Sequence, residues 1–211
     1  MTDMPINTGL KFFGAITASA THELKNRFAI VNEQAGLLAD FVAMAEAGKS
    51  LDPERLSRLS ASVKKQVALA DELLRRMNRF AHSVDQMTGD ADMAELLDTI
   101  SSLVQRTADR RNVTLEVRLP DPSPRVYSSS FWLMNLIWIL VDGAMGPSTG
   151  QRTLTLSCES SAERTVIRID GADSVDNLEP VMAEAEYLAE ALRVQVSLDP
   201  DRRSLSVVMT K

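Results

Sequence analysis

The sequence is poor in the residues from which most catalytic centres are made. It holds one cysteine and two histidines in 211 residues. Cys158 alone cannot form an intramolecular disulfide, and its apolar-alternating surroundings predict a half-buried thiol, which suits a reducing compartment. Two histidines supply neither a multi-histidine metal site nor a triad with one to spare. Cysteine offers no ligand cluster, so no metal and no resident cofactor are expected. The 9 glycines are nowhere arranged as Gly-x-Gly-x-x-Gly or as a Walker loop, so the usual phosphate cradles are absent from the sequence. Positive charge is also short. The formal net charge is -6 and the pI about 5.0, which leaves no field to draw nucleic acid or anionic lipid. The longest apolar run, Phe131 to Val141, is 11 residues and contains Asn135, whereas a spanning helix needs roughly 20. Met1 to Pro5 lack the basic and then apolar pattern of an export signal. These absences point to a cytoplasmic protein with no nucleic-acid and no membrane partner.

What is present is periodicity. Ile16, Ala20, Leu24, Phe28, Val31, Ala35, Leu38, Val42 and Ala45 recur at three-and-four spacing and predict one helix from about Thr8 to Ala47. Gly48 offers a stop, and Asp52-Pro53-Glu54 supplies an N-cap, a proline at the first helical position and an acid in the first turn. The second stripe runs Leu56, Leu59, Val63, Val67, Ala70, Leu74, Met77, Ala81 and Val84. Two long helices on a short loop make an antiparallel hairpin. Each carries one apolar stripe, so the expected state is a homodimer closed as a four-helix bundle.

The pattern changes after Gly89-Asp90. Asp92 and Glu95 form a capping-box spacing ahead of Leu96, Leu97, Ile100, Leu103 and Val104. Val113 to Leu119 alternates like a strand, and Pro120, Pro122 and Pro124 then break the chain. Ser130 is the expected cap of an apolar helix over Phe131 to Met145, stopped by Gly146-Pro147. Strands follow at Thr153 to Cys158, Thr165 to Asp170, Val194 to Leu198 and Ser204 to Met209, the last two joined by an Asp-Pro-Asp turn, with a helix over Glu179 to Leu192. The expected fold is α+β. A hairpin over residues 1–89 precedes an α/β sandwich over 90–211, with helices on one face of a mixed sheet.

His22 is the residue left to carry chemistry. At about 100° per residue it lies roughly 200° from both Ala20 and Leu24, so it points away from the packed stripe. Glu23 flanks it, Lys25 lies three residues on, and Asn26 lies one turn along the same face. An exposed helical histidine is ordinarily just a surface residue. The local sequence says more.

Thr21-His22-Glu23-Leu24-Lys25-Asn26-Arg27-Phe28-Ala29-Ile30 resembles the phospho-acceptor box of bacterial sensor histidine kinases, in which a His-Glu-Leu-(Lys/Arg)-Asn run opens the first helix of a dimeric hairpin. The order of elements after Asp90 resembles that family's ATP-binding domain, so the likeness covers about residues 10 to 211. It implies that His22 is the phosphorylated residue. It also implies that Glu23 positions the ring or handles its proton, and that Asn26 sits where the family holds a residue used in dephosphorylating a partner. Response-regulator receiver domains are the implied partners. Lys25, Arg27, Arg75, Arg76 and Arg79 are candidates to meet their acidic face, although exposed helix charges are usually only solvating.

The sequence departs from the active kinases at three places. Their central helix carries Asn-x-x-x-Asn to hold the magnesium on ATP. Here Asn135 is followed by Ile139, and the other register puts Gly143 in the second place. Asp142 is one residue off and is expected to cap or solvate the helix end. Their Asp-x-Gly-x-Gly box is replaced by Asp170-Gly171-Ala172-Asp173-Ser174, and only about Ala172 to Leu178 stands where a lid should be. An acceptor without an ATP site reads as a histidine phosphotransferase, a phosphotransferase that passes phosphate between receiver aspartates through His22. The alternative is a pseudo-histidine-kinase interaction module that regulates a kinase or regulator without carrying phosphate. An active kinase with an unusual ATP site is the third reading.

Overall fold

The computed structural model describes residues 6–85, 87–147, 150–174 and 178–210. Its first helix, α1, runs Ile6–Glu46, and the second, α2, runs Pro53–His82. Gly48 takes the left-handed turn between them, at φ +75°. The Glu54 backbone N–H donates to Asp52 Oδ1 at 2.9 Å, so the expected cap of α2 is in place. The stripe drawn through Val84 overruns the helix, which stops at His82.

The described chain separates into two compact units: Thr17–Arg79, and residues before it together with Phe80 onward. The hairpin unit is thinly cored. Only Ala20, Ala70 and Leu73 are buried apolar residues in it, while Phe28, Leu37, Leu38, Val42, Val67 and Leu74 stand exposed. An 18-residue window of α1 has mean hydropathy 1.3 and none of it buried, so by length and composition α1 could cross a bilayer. No unbroken apolar run marks this stretch, because α1's apolar residues are interspersed with Glu33 and Asp40.

In the α/β unit, β1 (Gly89–Asp92) leads into α3 (Met93–Arg110), β2 (Val113–Arg118), β3 (Arg125–Ser128) and α4 (Ser130–Met145). Then come β4 (Arg152–Ser160), β5 (Arg164–Asp170), α5 (Glu179–Leu192), β6 (Gln195–Asp199) and β7 (Ser204–Thr210). The main sheet has the order β2-β4-β5-β7-β6. Its first pair is parallel and the rest antiparallel, which makes it the expected mixed sheet. One face is dry: Leu154, Leu156 and Cys158 of β4, Ile167 and Ile169 of β5, and Leu205 and Val207 of β7 are buried, and α3, α4 and α5 pack beside them.

Three local expectations need correction. β1 and β3 form a separate antiparallel ribbon, Asp92 opposite Arg125. The proline-rich stretch therefore breaks the chain only as far as Pro124, after which four residues pair. Ser129, not Ser130, occupies the cap position of α4, and its side chain makes no capping hydrogen bond. Asp142 does not merely cap or solvate a helix end. Arg111 Nη1 donates to its carbonyl oxygen at 2.9 Å and stands 3.1 Å from its Oδ1.

An aromatic cluster gathers the ends of the helices that belong to this unit. Phe12 and Phe80 are fully buried. Phe12 lies 5.3 Å edge-on to Phe80, 5.5 Å from Phe131 and 5.4 Å from Trp138, separations at which ring pairs add to plain area burial. Gly9 permits part of this, because a Cβ there would lie 2.6 Å from the Trp132 ring.

Candidate functional site

His22 is exposed on α1, and its imidazole makes no hydrogen bond or ion pair to another described residue. Lys25 and Asn26 are exposed on the same stretch. Thr21, just before it, is held by its own helix: its hydroxyl donates to the carbonyl of Thr17 at 2.8 Å. Glu23 turns toward α2. Arg27 Nη2 donates to Glu23 Oε1 at 2.7 Å, and Arg27 Nη1 reaches Gln66 Oε1 at 3.3 Å. The predicted site residues therefore fall into two groups. His22, Lys25 and Asn26 face solvent, while Glu23 and Arg27, about 30 % exposed, tie α1 to α2.

The candidate docking arginines on α2 differ from one another. Arg75 is held by Asp71 at 2.7 Å and Glu72 at 2.9 Å, and Arg76 by Glu72 at 3.0 Å. The Arg75 hydrogen bond is the largest influence holding the Glu72 carboxyl below its ordinary range. Arg79 is exposed and makes no such pair among the described residues. His82, past the hairpin unit, has Nδ1 2.7 Å from Asp85 Oδ2.

The positions that the sequence compares with a kinase's ATP-binding motifs pack against other parts of this unit. On α4, Asn135 is fully buried with neither amide atom hydrogen-bonded, and Ile139 is buried. α5 presses onto the next turn so closely that a Cβ on Gly143 would lie 2.6 Å from a Val181 methyl. The Arg111–Asp142 pair closes one side. On the other, the Asp173 backbone N–H donates to Ala144 O at 3.0 Å, and Arg152 Nη1 meets Asp173 Oδ1 at 3.0 Å, both side chains less than a fifth exposed. Gly171, at φ +93°, runs against the β4 backbone, where a Cβ would lie 2.4 Å from Thr153 O. Part of the Ala172 to Leu178 stretch, residues 175–177, lies outside the described residues. Among the described residues no three carboxylate, imidazole or thiol ligands gather around a possible metal position.

Arg111, Arg152, Asp173 and Val181 were not singled out from the sequence. Each acts through a partner 21 or more positions away or on another helix, and no spacing rule reads such a pair.

No protein-family model matches the sequence, and no curated protein matches it either. Among solved structures, the Acinetobacter baumannii histidine kinase AdeS is 16% identical over 90% of this chain and 97% of its own, with a TM-score of 0.49. A bacterial phosphotransferase is 13% identical over 100% of this chain and 98% of its own, at 0.45. Histidine kinase ThkA, solved in complex with response regulator TrrA, is 12% identical over 96% of this chain and 63% of its own, at 0.48. The chain is similar to sensor histidine kinases at this low level of identity.

Proposed function

We propose that this chain is a histidine phosphotransferase that carries phosphate on His22 between aspartates of response-regulator receiver domains, without ATP. The observation that supports this best is a contrast within the chain: the His22 imidazole is exposed and without a partner among the described residues, while the positions that resemble a kinase's ATP motifs are tied up in internal contacts, Val181 against Gly143 and the Arg111–Asp142 and Arg152–Asp173 pairs. Transfer in requires the lone pair of a neutral imidazole nitrogen to attack the phosphorus of an aspartyl phosphate. The P–N bond forms, the acyl P–O bond breaks, the carboxylate leaves as the anion, and the ring's N–H proton passes to solvent. Transfer out is the reverse on a second receiver. Asn26, one turn along, offers an amide to a phosphoryl oxygen or a water. Glu23 is engaged by Arg27 and acts as a positioning residue by fixing the first turn after His22. Lys25 and Arg79, exposed and without an ion partner among the described residues, are the cations best placed to meet an acidic face, with Arg27, Arg75 and Arg76 contributing what their own carboxylates leave.

The functional unit in this reading is a cytoplasmic homodimer. A hairpin with three small-to-medium buried apolar side chains cannot offset the entropy of ordering two long helices. The exposed Phe28, Leu37, Leu38, Val42, Val67 and Leu74 give a second copy the surface from which a four-helix bundle is closed. The same surface explains the hydropathy of α1 without a bilayer, where Glu33 and Asp40 would each cost about 3 kcal/mol.

The deciding experiment incubates the chain with a phosphorylated receiver domain. Label should move onto the wild-type protein, be acid-labile and base-stable, and move on to a second receiver. His22→Ala should abolish acceptance with its unfolding free energy unchanged to within about 0.5 kcal/mol, whereas His82→Ala should accept normally. Regulation that persists in His22→Ala would favour the interaction-module reading.

A further inference from the structure

The α/β unit contains a second concavity, at the other end of α4 from Asp142 and Gly143. Trp132 lies in the first turn of α4 and Gly143 in the last, about 16 Å along the axis at 1.5 Å per residue. The indole of Trp132 borders two adjoining hollows. One is a cleft of about 880 Å³ whose walls include Tyr127, Ser128, Leu192, Arg193 and Val194. The other is a groove of about 370 Å³ walled by Ile6, Leu10, Phe13 and Val84. Met87, Ser129 and Trp132 belong to both. Ile6, Leu10 and Met87 are each at least 60% exposed, and Tyr127, on a strand whose neighbours Val126 and Ser128 are buried, is 78% exposed. A single apolar side chain in water needs no explanation. Several around one continuous hollow mark a binding surface.

Its charge is one-sided. Among the described residues, the larger cleft is lined by two arginines and no carboxylate. Arg125 is already satisfied by Asp90 at 2.9 Å and Asp92 at 3.8 Å. Arg193 makes no side-chain hydrogen bond or ion pair with any described residue. It also occupies the C-terminal cap of α5 at φ +56°, ψ +40°, a left-handed position that glycine takes without strain and arginine does not. Arg193 thus lines an apolar hollow with no ion partner among the described residues, at a position where the backbone favours a different residue.

We infer that this hollow binds a small anionic amphiphile. Its carboxylate or phosphate lies against the Arg193 guanidinium, which presents the planar fork that such groups accept, and its apolar chain runs past Trp132 into the groove of Leu10 and Val84. The groove's volume of about 370 Å³ lies in the usual range for a small-molecule site and leaves room for a ten-carbon chain. A soluble single molecule is the committed occupant, and the site is independent of phosphoryl transfer at His22.

The test uses the full chain. Of the two tryptophans, both on α4, Trp132 lines both hollows, so a change in emission reports on this site. Decanoate and decyltrimethylammonium are titrated below their micelle concentrations, and decanol below its solubility limit. Decanoate should give a saturable change with a Kd below about 1 mM, decanol should bind about tenfold more weakly for want of the charge-assisted contact, and the cation should not bind. Arg193→Gly removes the charge while relieving the backbone, so its unfolding midpoint should stay or rise while decanoate falls to the level of decanol. Met87→Glu, at an exposed position on the shared wall, should abolish binding without unfolding. Equal binding of decanoate and decanol, an Arg193→Gly protein that binds decanoate as the wild type does, or no saturable change at all would overturn the inference. So would co-sedimentation with phosphatidylcholine–phosphatidylglycerol vesicles in the absence of decanoate binding, which would make the hollow a membrane contact.

Discussion

Replacing Gly171 by alanine tests the α/β packing at the point where the backbone has least freedom. Its φ of +93° lies outside the range an L side chain adopts without strain, a cost of about 1–2 kcal/mol. An added Cβ would stand 2.4 Å from the carbonyl oxygen of Thr153 and 3.5 Å from its carbon. That neighbour cannot swing away as the tip of a flexible side chain could. Thr153 belongs to β4, which is bonded on one side to β2 and on the other to β5, so relief requires the sheet or the 170–172 turn to shift, at about 1–3 kcal/mol. The smaller conformational freedom of alanine in the unfolded chain returns about 0.4–1 kcal/mol. The net loss is about 3 kcal/mol. With a urea dependence of about 2 kcal/mol per molar for a unit of this size, the midpoint should fall by about 1.5 M. Tryptophan emission follows this unit alone, because both tryptophans are on α4. Gly36→Ala is the control: nothing lies within 4 Å of a Cβ there, and a mid-helix alanine should stabilise α1 by about 1 kcal/mol, seen in circular dichroism but not in tryptophan emission. A Gly171→Ala midpoint within about 0.3 M of wild type would refute the argument, and with it the view that this glycine is kept for packing against β4.

Asp92 caps α3, and its carboxyl is held below the ordinary aspartate value of 3.8 by the Ser123 hydroxyl first, then by the backbone N–H groups of Ala94 and Glu95 and the charge of Arg125. Asp92→Ala should cost about 1–2 kcal/mol in thermal unfolding at pH 7; a depressed folded value means this stability is present above 3.8 and lost as pH falls through the folded value, so the gap to wild type should close in acid. Burial, aided by the Glu159 charge, pushes the Cys158 thiol from 9.0 up to about 11. It should react with Ellman's reagent at pH 8 only after urea is added, and because the folded value is the higher one, stability should be flat below pH 9 and decline as pH rises from there toward 11.

The elements that the sequence made legible are those with a period long enough to read. α1 and α2 show through their three-and-four spacing, and β4, β5 and β7 through the alternation that leaves Leu154, Leu156, Ile167, Ile169, Leu205 and Val207 on one dry face. β1 and β3 were missed because four-residue strands between a glycine and prolines show too few alternations to stand out. At the candidate site, the exposure of His22 followed from angular position alone. The commitment of Glu23 to Arg27 did not, since a carboxylate beside a histidine and four residues before an arginine has two partners within reach, and the helix phase places the arginine, not the imidazole, on its side. Asp142 was misjudged for a related reason: its partner Arg111 sits 31 positions away, beyond any local rule.

The same long-range pairs bear on the proposal that this chain transfers phosphate without nucleotide. A kinase must hold a triphosphate and its metal in place, which requires glycines for close backbone approach, free amides and an open cleft. A phosphotransferase requires none of these, because in the proposed reaction the phosphoryl group arrives and leaves on another protein's aspartate. Once the cleft has no ligand to hold, an open polar cavity is a liability, since each buried group that faced it would be left unsatisfied. In this chain Val181 packs against Gly143, and Arg111–Asp142 and Arg152–Asp173 pair internally, so these side chains are satisfied by one another. Asn135, buried with both amide atoms unpaired, is the exception to this mutual satisfaction. Asn135→Leu, close in volume and free of polar atoms, is therefore expected to raise the stability of the α/β unit by about 1–2 kcal/mol and to leave phosphate acceptance at His22 unchanged. A destabilised Asn135→Leu protein would mean that the amide still has a polar partner to serve, and the cleft would have to be reopened to a ligand.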